Sequence, residues 1–111
     1  MKKMTLLGIA STVLLAAPAM FGADTNDNYA KYCASCHGSD GAGHTKAGRL
    51  LKVKDLTDAQ YQKTFTDETA FKDLKEGSQD KDGKVQMKPV KDKLSDDEIK
   101  ALVAYVRTLA K

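Results

Sequence analysis

Both cysteines of the chain, Cys33 and Cys36, lie three residues apart in the stretch YCASCHGSDGAG at 32–43, and His37 follows the second at once. A Cys-x-x-Cys pair serves three chemistries: a thiol redox switch, a zinc site, or covalent attachment of haem. A structural zinc ion needs four ligands. The nitrogen and sulfur donors on offer are Cys33, Cys36, His44 and His37, and His37 is too close to Cys36 in sequence to turn easily onto the same metal. A thioredoxin-like dithiol sits at the start of a helix after a strand, and nothing before Tyr32 reads as that strand. Cys-x-x-Cys-His is the attachment signal for c-type haem. Two thiolates add to the two vinyl groups on one porphyrin edge, and the two-residue spacer on a helical turn matches their separation. The next residue projects toward the ring centre. Cys33 and Cys36 are thus read as the covalent anchors of one haem c, and His37 as an axial iron ligand.

Haem iron takes a second axial ligand or leaves a position open. Once an export segment is removed, Met87 is the one methionine left, because Met1, Met4 and Met20 all precede Asp24. It lies 50 residues after His37 and just before the final helical pattern, far enough along for the chain to reach the opposite face of the ring. Met87 is the expected sixth ligand. His44 is seven residues from His37 on a glycine-rich segment that would struggle to cross the ring edge, and reads as an exposed loop histidine. Asp80, Asp82 and Gly83 suggest a calcium loop, but the further ligands and the closing Glu of an EF-hand are not in register.

The N-terminus reads as an export signal. Lys2 and Lys3 precede an uncharged apolar run at 5–17, and Ala17 and Ala19 offer a small-residue cleavage site. The run falls short of the roughly 20 apolar residues that span a bilayer. Cleavage is expected near Ala19 or Ala23, so 1–23 is the signal and 24–111 the mature domain, located in the periplasm; an uncleaved anchor is the alternative. Cleavage after Ala23 leaves 88 of the 111 residues, with 16 basic against 15 acidic side chains. So balanced a charge argues against nucleic acid as a partner, which needs a strongly basic face. Domains of this size often need a staple. A disulfide across so small a loop would constrain almost nothing, whereas a large apolar cofactor would serve.

The elements that position these residues read as helices with no strand pattern, no repeat and no second domain. A short helix runs from about 25 into the cysteine motif. Residues 38–48 carry four glycines and read as a loop. Thr57 with Gln60 matches a capping box ahead of a helix to about 65. Another helix spans about 67–76, with Ala70, Phe71 and Leu74 on one face and Gly77 as its stop. Residues 77–90 read as a long loop with a turn at Asp82 and Gly83. Ser95 and Glu98 form a second capping box, and Ile99, Leu102, Val103, Val106 and Leu109 recur at helical spacing.

On CASCH at 33–37, on KVKDLTD at 52–58, and on MKPVKDKLSDDEIKALVAYVRTLAK at 87–111, the mature region resembles a small bacterial class I c-type cytochrome along essentially its whole length. The resemblance implies an all-α fold of about four short helices around one covalently bound haem. Its first and last helices would cross beside the ring, with Tyr29, four residues before the first cysteine, and Tyr105 as the aromatics. Two departures stand out. Lys88 separates Met87 from Pro89, where many relatives have Met followed directly by Pro. Residues 38–56 also lack the proline whose carbonyl orients the ligating histidine in many relatives, so another carbonyl, near Gly48, is expected to do this.

The function implied is a one-electron carrier with both axial positions filled, not an enzyme and without catalytic residues. The alternative is a haem peroxidase or a gas-binding cytochrome whose sixth ligand is displaced. Partners would be redox proteins, either membrane-bound complexes or terminal reductases and oxidases, and the carrier would act as a monomer. Tyr29, Leu50, Leu51, Leu56, Phe71, Leu74, Val85, Leu102 and Tyr105 are expected to form an apolar pocket. Lys46, Lys52, Lys54, Lys88, Lys91 and Lys93 would form a positive docking rim.

Overall fold

The structure is a computed structural model that describes residues 23–111. Residues 1–22 of the expected export segment, Ala19 among them, lie outside this range. Six helices and one small hairpin are present among the described residues. The first helix, α1 (Ala23–Tyr32), passes into a single-turn helix, α2 (Ala34–His37), with a break at Cys33. The break is slight. Cys33 still donates its N–H to Tyr29 O and accepts from His37 N, both at 2.9 Å.

Residues 38–48 are not all loop. Thr45 caps a helix, α3 (Lys46–Leu51), by accepting from Gly48 N at 2.8 Å. Glycine is a poor helix former, so the glycine-rich pattern hid this helix. Gly48 is there for contact. A Cβ on it would collide with the carbonyl oxygen of Cys36 and stand 2.6 Å from that of Gly43. α3 ends at Lys52, which adopts the left-handed conformation with φ 56°.

The next helix, α4 (Ala59–Gln62), is capped by Asp58, whose carboxylate accepts from Gln60 N at 2.9 Å. The expected capping box at Thr57 is not formed, because the Thr57 hydroxyl donates to Asp55 at 2.6 Å instead. α4 stops well short of residue 65. Beyond it Arg107 donates to the Phe65 carbonyl at 2.9 Å and lies 4.3 Å from the Phe65 ring centre. Arg107 also pairs with Asp67 at 2.9 Å and bonds the side chain of buried Gln62 at 3.0 Å. Gln62 in turn donates to the carbonyls of Leu56 and Val106 at 2.8 and 2.9 Å.

Helix α5 (Asp67–Glu76) has the expected bounds and ends at Gly77, whose φ of +84° suits glycine. The strand-free reading of 77–90 fails. Two short antiparallel strands, β1 (Ser78–Gln79) and β2 (Val85–Met87), pair Ser78 with Met87. Asp80 shapes the connection, accepting from the N–H groups of Asp82 and Lys84 at 2.9 Å each. Its oxygens serve a turn, which agrees with the absence of an EF-hand pattern. The last helix, α6 (Asp96–Thr108), begins with the expected Ser95–Glu98 capping box.

α6 packs on α1 and α5. The core is Tyr29, Leu56, Val90, Leu94, Ile99 and Leu102, with Phe71, Leu74, Tyr105 and Leu109 half-buried against it. Leu50 departs from the expected pocket and is 75 % exposed. The reason is helical geometry. Two residues on a helix are about 200° apart, so Leu50 faces away from the side on which Gly48 meets Cys36. Val85 is 48 % exposed on the hairpin. No helix among the described residues is long and apolar enough to cross a membrane.

The contrast between Ile99, 0 % exposed, and Leu50 gives a test. Ile99→Ala should cost about 2–5 kcal/mol of unfolding free energy in urea denaturation of the haem-loaded protein. Leu50→Ala should cost less than about 0.5 kcal/mol. Equal losses would contradict the packing described.

Candidate haem site

α2 brings Cys33, Cys36 and His37 onto one turn, all half-buried. The two sulfurs are not joined to each other. Burial, with the neighbouring Cys36 adding to it, pushes the Cys33 thiol up to about 11. A redox dithiol works through a thiol whose pKa is lowered, so this environment disfavours the exchange reading. Zinc fares no better, since no group of three or more His, Cys, Asp or Glu side chains among the described residues is arranged to hold a metal ion.

The carbonyls at the end of this turn are all engaged. The Thr45 hydroxyl donates to Cys36 O at 2.8 Å, Gly43 N to His37 O at 2.7 Å, and the Tyr29 hydroxyl to Gly38 O at 2.7 Å. Tyr29 also stacks on Tyr105, with ring centres 5.0 Å apart and a tilt of 47°. The crossing of first and last helices is therefore tied to the motif by a hydroxyl that a phenylalanine would lack.

His37 Nδ1 lies 3.3 Å from the carbonyl oxygen of Lys54. A carbonyl only accepts, so Nδ1 carries the proton and the lone pair is left on Nε2. Desolvation lowers the pKa of His37, offset in part by this hydrogen bond, and the ring is held as the neutral imidazole a metal needs. The orienting carbonyl belongs to Lys54 and not to the neighbourhood of Gly48, which is used against Cys36. No side chain marks a backbone carbonyl in a sequence, so only the fold could locate it. His44 is exposed, and its charge reaches Asp55, next to Lys54. Asp55 itself is held below the usual carboxylate range mainly by hydrogen bonds from Thr57, with His44 and Lys111 as lesser influences.

Met87 belongs to another element. It is half-buried on β2, where Val85 shares its face of the strand. Both line an open cleft of about 410 Å³ with Gly77 and Pro89. The segment is fixed from two sides. Val90 donates to the Leu74 carbonyl at 3.0 Å, and Gly77 leaves room for the backbone, since a Cβ there would lie 2.8 Å from Met87 O and 3.0 Å from the Pro89 ring. Lys88 between Met87 and Pro89 points to solvent and does not disturb this anchoring.

Residues 23–110 match the profile of the family described as Cytochrome c. The chain belongs to the cytochrome c family. Among solved structures, this cytochrome is similar to the KustC0563 c-type cytochrome. The two share 34 % identity at a TM-score of 0.67, over 78 % of this chain and 98 % of that one. A tyrosine-to-phenylalanine mutant of Kustc0563 superposes at a TM-score of 0.65 with the same identity and coverage. No curated protein matches. The family carries a covalently bound haem c and transfers electrons through it. The donor set here fits that group: two unbridged cysteines on one turn, and a neutral imidazole beside them with Nε2 unprotonated.

Tyr29 gives a pH-dependent test. Burial raises its pKa above the ordinary value near 10, with Cys33 and Tyr105 adding smaller effects. The neutral phenol is therefore favoured in the folded state. Its contribution is complete below pH about 10 and is lost as pH rises from there toward the folded value. Tyr29→Phe should cost about 1 kcal/mol at pH 7, the worth of one hydrogen bond. It should also flatten the decline in stability above pH about 10. An unchanged alkaline slope would show that the Tyr29 hydroxyl is not held as described.

Proposed function

We propose that this cytochrome is an exported carrier of single electrons, with one haem held by Cys33 and Cys36 and ligated by His37 and Met87. The observation that carries the reading is the hydrogen bond from His37 Nδ1 to the Lys54 carbonyl. It fixes the ring orientation and leaves one nitrogen to bind iron, and such outer contacts raise ligand basicity. Cys33 and Cys36 supply the two thioether sulfurs from one rigid turn. Haem, once attached, supplies one iron that gains and loses an electron.

The protein's own part is to keep that exchange simple. His37 is locked through Lys54, and Met87 is locked through the β1–β2 pairing and the Val90–Leu74 bond. Residues held in this way would not need to move when the iron they hold changes oxidation state. Were His37 and Met87 both to hold the iron, no place would be left on it for a substrate. This favours the carrier over a peroxidase or a gas sensor. Methionine as the second protein ligand beside histidine would raise the potential. The apolar cluster around Tyr29, Leu56 and Leu102 limits water near the site. The apolar run at 5–17 and the alanines after it support export to the periplasm with residues 24–111 as the mature domain. Redox proteins on either side of the transfer are the partners of such a carrier.

The test is Met87→Ala in the haem-loaded protein. The thioether-to-iron absorption band should disappear, the potential should fall, and the reduced variant should bind carbon monoxide rapidly while the parent does not. An unaltered spectrum would assign the sixth position to another residue. Rapid binding by the parent itself would favour the sensor or peroxidase reading.

A further inference from the structure

The Lys54 carbonyl that orients His37 lies 3.3 Å from Nδ1, at the long end of the range for such a bond. A small shift of residue 54 decides whether the bond is made. The segment that carries it must therefore be held, yet residues 53–58 lie outside the helices and strands. Backbone bonds hold two points of it. Val53 donates to Gly48 O at 3.0 Å and Leu56 to Gly41 O at 2.8 Å. The third hold is a side chain. Gln62 Nε2 donates to Leu56 O at 2.8 Å and, with its other hydrogen, to Val106 O on α6 at 2.9 Å. Gln62 Oε1 accepts from Arg107 at 3.0 Å. Arg107 is itself aimed by Asp67 and by the Phe65 carbonyl, each at 2.9 Å. The nitrogen and the oxygen of a deeply buried amide are thus both engaged. Burying an amide opposes folding unless its groups are paired, and an apolar side chain would fill the space without that demand. What the amide adds is direction. It fixes the Leu56 carbonyl, two residues after Lys54, relative to the last helix.

We propose that Gln62, clamped by Arg107, is a positioning residue for electron transfer: it holds the stretch from Lys54 to Leu56 so that the Lys54 carbonyl meets His37 Nδ1, and through that bond it tunes how readily the iron is reduced. The inference rests on His37 holding the iron and deepens that reading. Gln62 acts through the backbone of Leu56, and Arg107 acts through Gln62. The bond at Nδ1 makes Nε2 a stronger donor. A stronger donor favours ferric over ferrous iron. A Lys54 carbonyl left loose therefore raises the potential, and it frees the Nδ1 proton to exchange with water. A residue that only added stability would produce neither effect.

The test compares Gln62→Met and Gln62→Glu with the parent, all haem-loaded. Methionine is unbranched and of similar length but has no donor. Glutamate keeps the pairing with Arg107 and, ionised, likewise cannot donate to Leu56, so it carries the test if the first variant fails to fold. Two quantities are read. One is exchange of the His37 Nδ1 proton, followed by NMR in the ferrous state. The other is the ratio of ferrous to ferric protein against a redox mediator at fixed potential. Both variants should speed the exchange about tenfold, the size expected when a buried carbonyl loses its donor, and should raise the ferrous share. Ile99→Val, which trims the core by one methyl group, should move neither quantity. If both Gln62 variants keep the parent's exchange rate and ratio, or if Ile99→Val moves them as far, Gln62 is a packing residue and the proposal is overturned. A parent that shows no iron-bound histidine ring in the same spectra would instead overturn ligation by His37, which separates the two failures.

Discussion

The backbone carbonyls of Cys36, His37 and Gly38 emerge from the end of a four-residue helix, and each must find a donor. A single turn has no following residues to satisfy them. Three separate parts of the chain supply the donors: Thr45 at the start of α3, Gly43 in the glycine loop, and Tyr29 in α1. That requirement fixes much else. It brings the glycine loop back on itself and sets α3 against α2. The Tyr29 hydroxyl adds a second donor to Gly38 O, which also accepts from Gly41 N at 3.1 Å. A turn with its carbonyls free would be a poor mount for a group attached through two adjacent side chains.

Much of this was legible in the sequence because it depends on local pattern. The Ser95–Glu98 box and the periodic apolar residues after it specify α6, since capping and amphipathicity are short-range. The spacing of Cys33, Cys36 and His37 states the cofactor chemistry directly, because attachment needs those groups on one turn. What could not be read depends on contacts distant in sequence or on backbone atoms. The Lys54 carbonyl that orients His37 leaves no mark on residue 54. α3 was hidden because Gly48 lowers helix propensity, yet the same glycine is required by its approach to Cys36. Thr57 and Gln60 satisfied the capping rule on paper, but Asp55 competed for the threonine hydroxyl and Asp58 took the cap. The strands of 77–90 are too short to alternate visibly, and Asp80 holds their connection through backbone N–H groups.

The two residues proposed as iron ligands, His37 and Met87, are secured by different means. On the His37 side the ring is fixed by one hydrogen bond inside a network of caps. On the Met87 side nothing bonds the side chain itself. Its backbone is held by the hairpin, by Val90 against the end of α5, and by the bare surface of Gly77. This division matches the chemistry of the two groups. An imidazole has a second nitrogen through which it can be oriented, whereas a thioether is a weak acceptor with no donor and can be positioned only through the chain that carries it.

The helix α3 shows how little material is needed to connect such a site to the outside. It has six residues. A helix that short would not be stable alone, so it exists because Thr45 and Gly48 bind it to the cysteine turn. The contact that stabilises it also orients it, and orientation decides which residue faces solvent. Two positions beyond the glycine the chain must point outward, and there it places a leucine rather than one of the charged residues that surround it. Burial cannot account for that choice, because at this position the side chain is bound to be exposed. A single exposed leucine is common on protein surfaces, so what the contact with the cysteine turn fixes is the direction of α3 and not the use of the residue it presents.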